Sequence, residues 1–268
     1  MYEAYVIEHS NTGTSEDWKP FAIKVLIGLL IVFLLAEFTF YLVIVPSTSQ
    51  IHLTAKGAPN IGYDELCSLA GLSGSEKWMD FNSASTASRL ASNPLFESVI
   101  VEKIFPDRVA ISLVERIPVA IAFGIINGRT VPLEIDRAGV AFRIGNLSVD
   151  TTLPLITGLI FENPVPGMRL HTSLKPLLEQ LSELDKKNPV LLSSISEIKI
   201  ETKTYGGYDL VIYPVHTPVR VRLDKALNED SLQYMMLVLD VVQDLSLDID
   251  EIDIRAGTVA YRLKGEHL

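Results

Sequence analysis

Five histidines, one cysteine and a run of acids near the C-terminus are the residues of this chain whose types could do chemistry. Metal sites place histidines at short fixed spacings so that both rings reach one ion. His9, His52, His171, His216 and His267 stand far apart, and no two have such a spacing. The segment "LDIDEIDI" holds Asp248, Asp250, Glu251 and Asp253. A calcium loop needs a sharp glycine among its ligands. Here Ile249, Ile252 and Ile254 interleave with the acids instead, which marks a strand with one solvated face. "GLSGSEK" at 71–77 is neither a nucleophile elbow nor a phosphate loop. Cys67 has no second cysteine to pair with and reads as a small packed hydrophobe. No nucleophile–base pair, metal set or cofactor fingerprint emerges. The chain reads as a non-enzyme with no cofactor, and its function must lie in surfaces.

The elements that position those surfaces begin with a membrane helix. The stretch 21–45, "FAIKVLIGLLIVFLLAEFTFYLVIV", carries one charge after Lys24, namely Glu37. About 20 apolar residues cross a bilayer. The run exceeds the apolar core of a signal peptide, and no small-residue cleavage site follows in "VPSTSQ". Lys19 and Lys24 flank its N-terminal side and Lys56 alone its C-terminal side, a weak bias towards a cytoplasmic N-terminus. Glu37 has two readings: local relief by Thr39 or by defects at the lipid face, or contact with another membrane helix that offers a donor. The 268 residues carry a formal net charge of −10, with 48% hydrophobic and 21% charged residues. That composition is globular, and the acidic balance argues against nucleic acid.

After the span, "SQIHLTAKG" alternates as a strand. "IGYDELCSLAGL" reads as a short helix ended by Gly71, and "FNSASTASRLASNP" as a second one, capped by Asn82 or Ser83 and stopped at Asn93-Pro94. "FESVIVEKIFPDRVAISLVE" is a hairpin turning at Pro106-Asp107, with Val109, Ile111 and Leu113 on one face. The order is strand, helix, helix, strand, strand. From Pro118 onward strands dominate. Asn127-Gly128 between apolar runs is a hairpin turn, and Pro132 predicts an edge or a bulge in its strand. "HTSLKPLLEQLSELDKK" is an amphipathic helix capped by Thr172 or Ser173. "NEDSLQYMMLVLDVVQDL" is another, with Leu232, Met235, Leu239 and Val242 inward. Between them, "ISEIKIETKTYGGYDLVIYPVHTPVRVRL" supplies three strands. The chain closes on a hairpin, "EIDIRAGTVAYRLKGEHL". In its second arm Val259, Tyr261 and Leu263 share one face, and Ala260, Arg262 and Lys264 the other.

The order of elements, together with "SNPLFESVIVEKIFPDRVAISLVERIPVAIA", resembles the POTRA domain of the FtsQ/DivIB family of bacterial cell-division proteins. The resembling positions are Leu90, Pro94 and the Glu115-Arg116-Ile117-Pro118-Val119-Ala120 exit. Further matches follow in order: Ile135, Asp136 and Gly139 in "LEIDRAGVAF"; Leu153, Pro154 and Gly158 in "LPLITG"; and Ile252, Asp253, Ile254 and Arg255 in "IDIR". The resemblance covers about nine tenths of the chain. It implies an α+β protein with a single N-terminal transmembrane helix, a POTRA-like βααββ domain, and a mostly antiparallel β domain with two helices. The divisions are 1–20 a cytoplasmic tail, 21–45 the helix, 46–117 the POTRA-like domain, and 118–268 the β domain with its terminal partner-binding hairpin.

It also implies a divisome scaffold in the cytoplasmic membrane at the septum, its C-terminal domains outside the cytoplasm, that recruits FtsB/DivIC-like and FtsL-like single-span partners. Partner contacts implied by the motif are Arg255, Thr258, Val259, Ala260, Tyr261, Arg262 and Leu263, with Arg255 pairing an acidic partner residue. Glu115, Arg116 and Pro118 sit at the domain junction, where Glu115 and Arg116 read as an ion pair fixing the strand exit. Several relatives carry an aromatic residue after the motif arginine; this chain has Ala256. The exposed edge of the last strand has two readings: an edge protected by Arg262 and Lys264, or a receiver for a partner strand. A different class, a POTRA-bearing chaperone or translocation factor, is disfavoured by the single module behind a single helix.

Overall fold

The computed structural model describes residues 18–57, 61–147, 152–255 and 257–265. The tail read at 1–20 therefore lies outside the described residues up to Asp17, as does Ala256. Helix α1 (Trp18–Thr39), a π-helical turn (Phe40–Ile44) and α2 (Val45–Thr48) form one apolar rod of 31 residues. At about 1.5 Å per residue it spans roughly 46 Å, beyond the roughly 30 Å of hydrocarbon in a bilayer. The helical rod thus extends past both ends of the apolar stretch. Thr39 Oγ1 donates to Leu35 O at 2.8 Å. Its donor is spent on the backbone of its own helix.

The next domain has β1 (His52–Lys56), α3 (Tyr63–Ala70), α4 (Ser83–Ala91), β2 (Phe96–Ile104) and β3 (Arg108–Glu115). Every one of these elements was legible. β3 is central: β1 runs parallel to it on one side and β2 antiparallel on the other. Val109, Ile111 and Leu113 alternate inward and meet Leu66, Ala70, Leu90 and Phe96 in a core of their own. Gly71 closes α3 in the left-handed region. Asn82 caps α4 by accepting from Ser85 N at 3.0 Å, with Ser83 as the first helical residue.

The second domain is built on one ten-stranded sheet. Its strands are β4 (Pro118–Ile126), β5 (Arg129–Asp136), β6 (Val140–Ile144), β7 (Leu155–Thr157), β8 (Met168–Arg169), β9 (Ile195–Thr202), β10 (Tyr208–Pro214), β11 (Arg220–Leu223), β12 (Ile249–Asp253) and β13 (Ala260–Leu263). They lie in the order β13-β12-β11-β10-β9-β7-β4-β5-β6-β8. Pairing is mostly antiparallel; β11 with β12, β4 with β7 and β7 with β9 are parallel. Helices α5 (Lys175–Lys187), α6 (Pro189–Ser193) and α7 (Glu229–Asp244) supply the other half of the core. Leu177, Leu178, Leu181 and Leu184 of α5, with Leu232, Met235 and Leu239 of α7, meet Ile198, Ile200, Leu210, Ile212, Val221 and Ile252.

Two local expectations change. β5 is an internal strand, flanked by β4 and β6, with no bulge at Pro132. Pro132 is tolerated because it sits at the end of the β6 ladder, one step past the pair Leu133–Ile144, where its carbonyl accepts from Gly145 N at 2.9 Å and its missing N–H comes after the last paired residue. The helix near 172 is capped by neither Thr172 nor Ser173. His171 Nδ1 accepts from Ser173 N at 3.3 Å, because the first turn is a tight 3-10 turn that brings that amide to residue 171.

Candidate functional site

β13 is at one end of the large sheet and, among the described residues, is hydrogen-bonded to β12 alone. The register pairs Asp253 with Ala260, Ile252 with Tyr261, Glu251 with Arg262 and Ile249 with Leu263. Lys264 N donates inward to Asp248 O at 3.0 Å. In an antiparallel ladder, inward and outward amides alternate. The amides of Ala260 and Arg262 therefore face β12, and those of Tyr261 and Leu263 face outward. Thr258 and Val259 precede the strand and form its approach.

The two faces of this edge differ. On the face away from the helices, Arg262 Nη2 reaches back to Asp250 Oδ2 at 3.0 Å. It joins a ladder that crosses the sheet: Arg220 to Glu251, Glu251 to Arg222, Arg222 to Glu201, and Glu201 to Lys199. Burial would raise Glu201, but Arg222 and Lys199 outweigh it and hold its carboxyl below the ordinary range. Arg262 is folded inward over the sheet onto Asp250 and Glu251, while Lys264 stays mostly exposed beside Asp248.

On the other face, Val259 and Tyr261 line an apolar groove of about 340 Å³ with Leu237 and Val241 of α7, Leu245 at its C-cap, and Leu247 and Ile249 behind it. Tyr261 is 58% exposed and Leu245 63%. This outer stripe of α7 is the part of the site that sequence reasoning missed. Its signal was present, because "MMLVLDVV" is apolar on more than the inward face.

Arg255 closes the end of β12. Nε and Nη2 contact the Asp253 carboxylate at 2.9 and 2.5 Å, and Nη1 meets Asp209 Oδ2 at 2.5 Å. Asp253 also accepts from the Arg255 backbone N–H. The hydrogen bond from Arg255, acting against burial, lowers Asp253. Burial would raise Asp209, but Lys203 and Arg255 together lower it. The guanidinium is correspondingly raised above its ordinary value, by Asp253 first and Asp209 second. It is thus already engaged within the chain, at the margin of a shallow concavity shared with Lys203, Asp224, Thr258 and Ala260.

The domain junction gathers Glu115, Arg116 and Pro118 at the point where β3 passes into β4. Glu115 pairs with Phe96 across the hairpin. Arg116 Nε donates to Pro94 O at 3.0 Å, and Nη1 pairs with Asp136. Asp136 is 2% exposed, and its other oxygen accepts from Ala138 N and Val140 N. Arg116 therefore ties one domain to the other. In the first domain β2 and β1 are the outer strands, with no further strand paired to them among the described residues. Glu37 lies on α1 beside Ile31, Leu34, Phe38 and Tyr41 in a shallow apolar concavity.

Comparison with known proteins agrees with this architecture. Residues 48–116 match the family model described as "POTRA domain, FtsQ-type". The chain is 25% identical over 196 residues to the cell division protein FtsQ of Geobacter sp. (strain M21), covering 72% of this chain and 68% of that one. With its apolar N-terminal helix, its FtsQ-type POTRA domain and the large mostly antiparallel sheet behind it, the chain is similar to the FtsQ cell-division proteins.

Proposed function

We propose that this chain is a non-enzymatic scaffold of the division machinery that recruits small single-span partners of the FtsB/DivIC and FtsL kinds. Its N-terminus is cytoplasmic, its helix crosses the cytoplasmic membrane once at the septum, and both folded domains lie outside the cytoplasm. Recruitment there helps control septal wall synthesis. The observation that carries the reading is the free edge of β13. The outward amides of Tyr261 and Leu263 stand beside an apolar groove. A partner strand would take up those amides and place alternate side chains in the groove. Arg255 acts first on its own chain, fixing the end of β12, and meets a partner carboxylate only by sharing its guanidinium. The free edge of β2 offers a second docking strand, and Glu37 a contact for a partner's membrane helix.

The test is co-purification of the full chain from membranes with the FtsB-like and FtsL-like proteins of the same cell. Leu263→Pro removes an outward donor and leaves the inward bonds of Ala260 and Arg262. Losing one or two strand hydrogen bonds should cost about tenfold or more in capture. Leu263→Ala keeps the amide and should retain most of it. Equal capture by Leu263→Pro would refute the edge, and no capture by the unaltered chain would refute the partner class.

A further inference from the structure

The end of the apolar rod is fastened to the POTRA domain by aromatic contacts. The ring of Tyr41 packs edge-on against Phe105, with centroids 5.3 Å apart. Phe105, in the turn between β2 and β3, meets Trp78 at 5.8 Å with the planes perpendicular. Lys103 Nζ lies 4.3 Å from the Trp78 ring centroid and donates to Phe81 O. Trp78 Nε1 donates to Arg108 O at 3.1 Å. Backbone bonds bind the same place: Trp78 N to Ser49 O, Ile51 N to Glu76 O, and His52 N to Asp107 O. The exit of the rod, the 76–81 segment and the hairpin turn are thus tied together. Yet Phe105 remains 39% exposed and Met79 51%.

The depth of this cluster follows from the helix. Trp18 and Tyr41 are separated by about 35 Å along it, a little more than the roughly 30 Å hydrocarbon core. Aromatic residues collect at both boundaries of a bilayer. With Trp18 at one boundary Tyr41 reaches the other, and Phe105, which touches it, shares its depth.

We propose that the POTRA domain rests on the membrane surface through this turn. Phe105 and Met79 enter the boundary between headgroups and acyl chains, with Trp78 and Lys103 at headgroup level. The occupant is the lipid surface itself, since the patch is continuous with the helix that crosses it; the proposal rests on that reading of the helix. The charges around the turn balance, with Lys77, Lys103 and Arg108 set against Glu76, Asp80 and Asp107. Docking is therefore driven by apolar burial and needs no anionic lipid. It holds β2 with one end at the membrane and its free edge rising from it.

The experiment places full-length Trp18→Phe protein, whose remaining tryptophan is Trp78, in phosphatidylcholine vesicles brominated near the headgroup or deep in the acyl chain. Flotation with the vesicles first establishes that the helix has inserted, which separates failure of the span from failure of the docking. The expected result is quenching of Trp78 about twofold or more by shallow bromine, weaker quenching by deep bromine, and no change when anionic lipid or salt is added. In the same background, Phe105→Ser with Met79→Ser should lose most of the quenching. A floated protein whose Trp78 is untouched by bromine and fully open to aqueous iodide would overturn the proposal, as would quenching that survives the double serine variant.

Discussion

At the scale of single residues, two arginines hold buried or half-buried carboxylates, and their removal should be felt differently. Arg116 is the counter-charge of Asp136, whose side chain is 3% exposed. Arg116→Ala leaves that carboxylate with only its two backbone amides and leaves Pro94 O without its donor. Breaking a buried pair from one side costs about 3–5 kcal/mol, so urea denaturation should report a loss of that order. Arg116→Lys should recover only part of it, because one ammonium cannot reach two acceptors in fork geometry. Arg255 produces a pH dependence instead. Asp253 and Asp209 are both held below the ordinary aspartate range in the folded protein. A depressed folded value gives stability that is fully present above the unfolded value, about 3.9, and is lost as pH falls through the folded one. Melting temperature should therefore be flat from neutral pH to about 5 and fall below about 4. Asp253→Asn should lower the plateau and flatten the acid limb. An unchanged acid limb in that variant would show that other carboxylates govern it.

At the scale of elements, legibility followed length and periodicity. The five POTRA elements, α5, α7 and the Asn127-Gly128 hairpin carry local signals, and that turn has both residues at positive φ, as a two-residue hairpin of this kind needs. β7 and β8 have three and two residues and exist only through their neighbours, so no local pattern announces them. What the sequence does mark in β7 is its exit. Gly158 lies at φ +81°, and a Cβ there would sit 2.1 Å from Ile200 O. Gly57 does the same at the end of β1, against Leu113 O. Each is the glycine that lets a strand leave its parallel neighbour (β9 and β3). The last hairpin was legible from its alternation on both sides of a glycine turn at Gly257. Its limits were not, and the strand starts at Ala260, after Thr258 and Val259. The lock of Arg255 on Asp209 spans 46 positions and has no local sign. The exposed stripe of α7 yields a prediction. Val241 and Leu245 are largely open, and no basic residue stands in the last turn of the helix. Val241→Lys with Leu245→Lys complements the helix dipole by about 0.3–1 kcal/mol per charge. Thermal stability should hold or rise slightly, while capture of FtsB-like partners falls about tenfold as two apolar contacts are lost. Undiminished capture would show that the groove is not part of the docking surface.

At the scale of the whole molecule, two cores of unequal size share one chain. The POTRA core is a small cluster around Leu66, Leu90, Val109 and Ile111, whereas the β domain buries a continuous layer between its sheet and α5 and α7. A domain of about 70 residues is marginal by itself, so the link to the larger body should contribute to its stability. The surface pair of Arg137 with Glu97, at 2.7 Å, crosses the same boundary, but its arginine is half exposed, and such pairs are worth about 0–1 kcal/mol. Arg116 is therefore the coupling residue. Arg116→Ala alone would confuse two effects, because it also strands the Asp136 charge inside the β domain. Adding Asp136→Asn removes that charge while its oxygen still accepts from Ala138 and Val140. In the double variant, hydrogen exchange should find the β9 and β10 amides protected nearly as in the unaltered chain. Those of β2 and β3 should exchange about tenfold or more faster, as sub-global opening no longer has to break the inter-domain contact. If β2 and β3 keep their protection, the POTRA domain stands on its own core and the junction only orients it. If β9 and β10 lose theirs in equal measure, the two cores open as one unit, and a docking event at either free edge would be felt at the other.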